Sequence, residues 1–438
     1  MIQPTVNSDL RPFHEFAEYV TKLVQLSRTS HVEPGWESKV DAALNGQAGA
    51  ELRRVSPLKT RREFGAFFTG TDLGARLLDL CSAFDRNSVI YDPTCGAGDL
   101  LVAAARRLPI EKNLNATLTQ WGKQLIGTDL HREFVHGARI RLVLLARQRH
   151  RSNSKLKKTP AQFFPEIKVA NGLRQIHLLK QATHLLLNPP FGLEKVPKNC
   201  AWASGKMTLA AEFVANAMEH ANEGAELYAI LPDVLRSGSF SENWQKHIEQ
   251  LSEIRRTQSF GIFDSSADID VFLLHAIRVK QRKLTHSGSW SPLIAKNRTT
   301  LGDLFEVRVG TIVPHRDEEI GESYPYIHAR SVPAWATVRE FSESRLHSGR
   351  LFQPPFVVIR RTSRPEQQYR AAASIIAGDV PVAVENHLIV CSPLDRKVGS
   401  CRQLIKQLKL PTTNDFLNDR IRCRHLTVKA IKQIPIEG

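Results

Sequence analysis

Short apolar runs alternate with helical patterns through the middle of the chain. SVIYD (88–92), QLIGTDL (124–130), THLLLNPP (183–190) and ELYAILP (226–232) are brief and β-rich. Between them, DLLVAAARRL, REFVHGARIRLVLLARQ and LAAEFVANAMEHANE place apolar residues at helical spacing. This alternation predicts an α/β domain over 61–282, built on a doubly wound, mostly parallel sheet. Ahead of it, FHEFAEYVTKLVQL carries the same helical spacing and predicts a helical segment over 1–60. The polar stretch KQRKLTHSGSWSPLIAKNRTT, 280–300, contains Gly, Pro and Ser and reads as a linker. Beyond it, over 299–438, PPFVVIRRTS and DVPVAVENHLIVCSP predict a mixed, strand-rich domain.

Composition narrows the partners. The chain has 438 residues, 60 Lys and Arg against 44 Asp and Glu, and a formal charge of +16. Such an excess favours a polyanion, most commonly nucleic acid, although a basic soluble protein without that partner fits the same number. The run RQRHRSNSKLKK, 147–158, has no apolar face and reads as either a solvated loop or a loop facing DNA. No stretch reaches the ~18 uninterrupted apolar residues of a membrane span. The N-terminus lacks the layout of a signal peptide, so a cytoplasmic protein with no membrane partner is expected. Six cysteines, at 81, 95, 200, 391, 401 and 423, form no C-x-x-C pair. That argues against a zinc site or a disulfide framework, and no metal is expected.

The sharpest local feature is VIYDPTCGAGDLL, 89–101. A strand ends at Asp92, and the turn through Thr94, Gly96 and Gly98 leads into a helix. Glycines there let backbone approach a ligand closely, at the carboxyl end of a strand where α/β sheets place ligands. The turn lacks the G-x-G-x-x-G of a dinucleotide site and the G-K-[ST] of a phosphate loop. The next strand ends in Asp129, about thirty residues on. Its carboxylate can accept from both hydroxyls of a ribose, and Leu130 can pack on an adenine face. Capping the following helix is the other reading of Asp129.

The strand THLLL runs into Asn188-Pro189-Pro190-Phe191. Two prolines fix φ and remove two N–H donors, and each restricts the residue before it. A rigid loop with exposed carbonyls results. The amino group of adenine is a poor nucleophile because its lone pair is delocalised into the ring. The Asn188 side-chain oxygen and the Pro189 carbonyl can each accept one of its N–H bonds and hold the lone pair toward an electrophilic methyl. Phe191 would stack on a base taken out of the duplex. A tight strand-exit turn is the plainer reading of the tetrapeptide taken alone.

In order, GAFFTGTDLGARLLDL (65–80), DPTCGAGDLL (92–101), GTDL (127–130), NPPFG (188–192) and GAELYAILPDVLRSG (224–238) resemble the gamma group of N6-adenine DNA methyltransferases. That group includes type I modification subunits and many type II enzymes. The resemblance covers about 60–280 and implies a seven-stranded Rossmann-like methyltransferase domain that uses S-adenosyl-L-methionine. It implies that Phe67, Phe68 and Thr69 close over the methionine end, that Asp92 and the turn around Gly96 hold that end, and that Asp129 holds the ribose. It places Asn171 where the family carries an acidic residue for the cofactor's adenine amine, and Gly70 where the family usually carries proline. It also implies that Phe263, with Phe260 as the competing choice, stacks on the target base opposite Phe191.

The C-terminal zone resembles target recognition domains, through LGDLFEVRVGTIVPHR, YPYIHARSVP, VVIRRTSRP and HLTVKAIKQIPI. Arg330, Arg360 and Arg361 are then candidates for base edges or phosphates. The implied activity is site-specific methylation at N6 of a flipped adenine in duplex DNA, within restriction-modification or phage defence. The expected partners are double-stranded DNA and a restriction endonuclease or defence-system subunit, since no nuclease motif or helicase loop is evident. The competing readings are a methyltransferase acting on an RNA base or a protein glutamine, and a DNA-recognition subunit with weak or lost turnover.

Overall fold

The computed structural model describes residues 13–196, 200–263, 269–281, 290 and 298–436. Most of the expected linker, 280–300, lies outside the described residues. The chain divides into two compact units. The first holds Met1–Pro232 and Asn243–Ser289, and the second Asp233–Glu242 and Trp290–Gly438.

The first unit is built on a seven-stranded sheet. Its strands are β1 (Ile90–Asp92), β2 (Leu125–Asp129), β3 (Ile167–Val169), β4 (His184–Leu187), β5 (Glu226–Pro232), β6 (Ser252–Ile262) and β7 (Asp270–Arg278). Their order is β3-β2-β1-β4-β5-β7-β6. The pairs among β1 to β5 are parallel, and β7 runs antiparallel to both β5 and β6. The apolar runs of the sequence fall on the inner strands because these are covered on both faces. Leu185, Leu186 and Leu187 are all fully buried. The expected doubly wound α/β fold is present.

This order has one consequence for the site. From β1 the chain winds outward to β2 and β3, then returns to the other side of β1 with β4. The switch point therefore lies between the carboxyl ends of β1 and β4, where open α/β sheets form a crevice.

The N-terminal helices share the sheet's core. Helix α1 (Phe16–Arg28) buries Phe16, Tyr19, Val20 and Leu23. These belong to one cluster with Leu101 of α2 (Asp99–Arg107) and Phe134 and Leu142 of α3 (Arg132–His150). Helix α3 is apolar on most of its circumference because it packs against helices and strands at once. The basic run that ends it is partly internal. Arg147 donates to the carbonyls of Ser152 and Ser154, and Arg149 to those of Ala105 and Leu108. Arg147 thus closes the end of α3 itself, and Arg149 the end of α2.

In the second unit, Phe305–Val309, Leu388–Pro393, Phe356–Arg360, Ala373–Ile376 and Thr337–Val338 form a five-stranded sheet in that order. Alternate residues serve two cores. Val357, Ile359, Ile389 and Cys391 pack with Leu404, Leu417 and Ile431 of the C-terminal helices. Phe356, Val358, Leu388 and Val390 pack with Ile327, Phe352 and Val384 on the other side. Burial on both faces explains the unbroken apolar runs.

Candidate functional site

The turn after β1 is shaped by its glycines and its carboxylate. Asp92 Oδ1 accepts from the Thr94 N–H at 3.0 Å. Gly96 has φ of 51°, and a Cβ there would lie 2.9 Å from the Phe68 ring. The Gly96 N–H donates to Asp129 Oδ2 at 3.0 Å, while Asp129 Oδ1 accepts from the His131 N–H at 2.8 Å. Asp129 thereby ties the end of β2 to the glycine turn. Burial holds its carboxyl above the usual range and pushes the His131 imidazole down. Burial also pushes the Asp92 carboxyl up to about 8.

One cavity lies at the switch point. It is lined by Phe64 to Phe68, Pro93, Thr94, Gly96, Asp129 to His131, Phe134, Ala170 to Leu173, Asn188, Pro190, Leu209 and Phe213. The glycine turn and the Asn188 amide therefore open on a common space. Leu130 is exposed beside Asp129 and offers an apolar face at the rim. Asn171 Oδ1 accepts from the Leu173 N–H at 3.0 Å, which leaves its second lone pair for another donor.

Several expected residues take other places. Asp92, Thr69 and Gly98 are not among the residues lining this cavity. Asp92 is buried behind it and braces the turn. A Cβ on Gly98 would lie 2.8 Å from the Cβ of Ala138, so that glycine serves the close approach of α2 and α3. Thr69 turns to Asn188 instead. Its hydroxyl lies 3.0 Å from Asn188 Nδ2, and the Phe67 carbonyl lies 3.3 Å from the same nitrogen. Pro189 is buried, and Pro190 faces the cavity. Phe191 packs against the edge of the core beside Phe263.

Sequence reasoning missed the aromatic floor. Phe68 meets Phe134 at 5.0 Å and Phe16 at 5.9 Å between ring centroids. Phe13 meets His131 at 4.7 Å and Phe134 at 5.0 Å. The available signal was the aromatic spacing of FHEF at the N-terminus, which exceeds what a solvated helix needs. Arg330 is exposed, whereas Arg360 donates to the Val332 carbonyl and Arg361 to the Asn386 carbonyl. Among the described residues, no group of three or more His, Cys, Asp or Glu is placed to hold a metal. No described helix is long and apolar enough to cross a membrane.

The profile of the N-6 DNA Methylase family matches residues 54–227, from the last N-terminal helices through the start of β5. Over these residues the chain is similar to that family. The matched region contains both loops of the cavity and every residue that lines it. Among solved structures, the chain is similar to the type IIL restriction-modification enzyme MmeI, solved in complex with DNA. Identity is 14% and the TM-score 0.54, covering 97% of this chain and 80% of that one. It is also similar to the type IIG restriction endonuclease BpuSI, at 12% identity and a TM-score of 0.43, covering 90% of this chain and 61% of that one. A third likeness is to the M protein of the type I restriction enzyme EcoKI, at 15% identity and a TM-score of 0.33, covering 60% and 67%. The chain thus spans 61% of the length of BpuSI. At these identities the likeness concerns the fold. A comparison with curated protein sequences finds no match.

Proposed function

We propose that this protein is an S-adenosylmethionine-dependent DNA methyltransferase that methylates N6 of an adenine flipped out of duplex DNA. The observation that carries this reading is the common cavity of the Gly96 turn and the Asn188 amide. The residues present fit the methyl donor. Gly96 lacks the Cβ that would close the turn, Asp129 offers a carboxylate to ribose hydroxyls, and Leu130 offers an apolar face to adenine.

Bound there, S-adenosylmethionine supplies an electrophilic methyl group. The chain's own part is to present the amine. Asn188 Oδ1 and the Pro189 carbonyl accept the two N–H bonds of the adenine amino group and turn its lone pair toward the methyl. Neither oxygen would need to act as a strong base: they would hold the amine's two protons while it stays neutral, and the proton released on methylation would pass to solvent. The two prolines hold the loop so that these acceptors need not reorganise. The strand-rich second unit, with Arg330 exposed, is suited to contact DNA. The likeness in fold to MmeI, a type IIL restriction-modification enzyme, supports a setting in restriction-modification, with any nuclease supplied by a partner.

The test is transfer of tritiated methyl to duplex DNA, RNA and protein, followed by nucleoside analysis. N6-methyladenine in DNA is expected. Asn188→Ala should lower turnover by roughly 100-fold or more, the scale for losing a placed hydrogen-bonding group, while binding of the methyl donor persists. Label found only in RNA or protein overturns the substrate assignment.

A further inference from the structure

Among the described residues, the Asn188 side chain is held through its Nδ2. Both contacts of its Nδ2 lie on the strap that precedes helix Thr71–Leu78: the Thr69 hydroxyl at 3.0 Å and the Phe67 carbonyl at 3.3 Å. A carbonyl can only accept. An amide turned the other way would set Oδ1 against the Phe67 oxygen, two acceptors face to face. The strap therefore decides which end of the amide is available to a ligand, and that end is Oδ1.

The strap is itself anchored at both ends. Gly65 lies so close to the catalytic loop that a Cβ there would be 2.2 Å from the Cβ of Pro190. At the other end, Gly70 has φ of 71° and ψ of 174°, a conformation essentially confined to glycine. Its N–H donates to Asp99 Oδ2 at 2.8 Å. Asp99 Oδ1 accepts from Arg141 Nη1 at 2.7 Å, and the Arg141 side chain is only 1% exposed. That guanidinium also donates to the carbonyls of Ala43 and Ala97. A proline at position 70 has neither the N–H nor the positive φ this chain of contacts needs.

We infer that Thr69 is a positioning residue for Asn188, and that Arg141, Asp99 and the Gly70 N–H hold Thr69 in place. The role is to fix the orientation of the acceptor that receives the substrate amine. It rests on the reading of Asn188 in the preceding subsection. The carboxylate and guanidinium do not touch substrate; they act through the backbone of the strap.

The full chain carries the test, with steady-state kinetics on duplex DNA and direct titration of S-adenosylmethionine. Thr69→Val keeps the shape and removes the hydroxyl. We expect kcat to fall about 10- to 100-fold, the scale of a misplaced catalytic group, with KM for DNA and donor affinity within about twofold of the parent. Thr69→Ser should restore kcat to within a few-fold. A Thr69→Val protein with the parent's kcat, or one that loses only donor affinity, overturns the role. A second readout does not need turnover: in protein labelled with 15N at asparagine, the Asn188 side-chain amide, identified by its loss in Asn188→Ala, should shift and exchange faster in Thr69→Val. An unchanged resonance removes the contact and the role with it. A parent protein that methylates no duplex sinks the reading of Asn188 itself, whatever the amide resonance does, and the catalytic part of this role falls too.

Discussion

Phe191 and Phe263 meet edge to face, with ring centroids 5.5 Å apart and planes at 78°. Phe67 approaches Phe263 in the same way at 6.4 Å. Phe260 is engaged elsewhere, under the Arg76 guanidinium at 5.3 Å. Phe263 is therefore the aromatic partner of the Asn188–Phe191 loop. Edge-on packing leaves no slot for a flat base between the rings, so stacking of the adenine proposed above would require Phe263 to turn. We expect 2-aminopurine at the target position to brighten on binding the parent protein. Phe191→Ala and Phe263→Ala should each reduce that signal and weaken binding of the flipped base by about 1–3 kcal/mol. Phe260→Ala should leave it unchanged; equal losses from all three would refute the pairing.

Asp92 gives stability a pH dependence of definite sign. Burial raises its carboxyl to about 8, from an ordinary value of 3.8. In the folded protein the proton stays on up to about pH 8, whereas the unfolded chain loses it near pH 4. The folded state thus binds the extra proton between those limits, and its stability falls as pH rises through them. The contribution is complete below about pH 4 and gone above about pH 8. Its size is on the order of 6 kcal/mol as an upper bound. Asp92→Asn keeps an acceptor for the Thr94 N–H and has nothing to titrate. Its melting temperature should exceed the parent's at pH 9 and approach it at pH 4; parallel curves across that range would contradict the assignment.

Both loops of the site could be read from the sequence because their constraints are local. Positive φ at Gly96 and two consecutive prolines after Asn188 restrict the backbone whatever lies around them. The direction of each side chain could not be read. Asp92, Gly96 and Gly98 occupy one turn, yet only Gly96 faces the cavity, because β1 and α2 are fixed by contacts with Thr128, Ala138 and Asp129 far along the chain. The aromatic floor depends on Phe13 and Phe16 meeting Phe134, more than a hundred positions away. Gly70 stands where the resembled family usually carries proline. The Gly70 N–H to Asp99 explains it, and no local pattern announces a contact twenty-nine positions apart.

Two further glycines permit close backbone contacts in the first unit, and only one of them, Gly172, borders the crevice. A Cβ on Gly172 would lie 2.1 Å from the Pro93 carbonyl oxygen, so this glycine lets the loop after β3 touch the turn after β1. Gly98 combines φ of 86° with the 2.8 Å approach to Ala138. Gly172→Ala and Gly98→Ala should each destabilise the first unit by about 1–3 kcal/mol, the scale of overpacking. Gly172→Ala should also weaken S-adenosylmethionine binding, because Pro93 and Thr94 line the cavity and Gly98 does not. Denaturant titration and calorimetric titration of the donor separate these effects. Intact donor affinity in Gly172→Ala would show that the turn relaxes without moving its lining residues.

The ten residues after β5 are tied to the C-terminal helices through Arg236 and Asp233. This segment, Asp233–Glu242, belongs to the second unit although it follows a strand of the first. Arg236 Nε donates to Asp233 Oδ1 at 2.9 Å, and its Nη1 donates to the Asp419 carbonyl at 2.6 Å. Asp233 Oδ2 accepts from the Ser237 hydroxyl at 2.8 Å and the Arg422 N–H at 3.0 Å. Both side chains of the ion pair are almost wholly buried. Removing one member strands the other charge in a poor solvent for it, which costs about 3–5 kcal/mol, whereas replacing both can be nearly neutral. Arg236→Met should therefore lower the unfolding transition of the second unit by that amount. Asp233→Asn combined with Arg236→Met should recover much of the loss, because no buried carboxylate then lacks its cation. Unfolding followed by hydrogen exchange at 388–393 for the second unit and at 184–187 for the first distinguishes the two. If Arg236→Met weakened only the first unit's strands, the segment would belong with the seven-stranded sheet and this assignment of Asp233–Glu242 would be wrong.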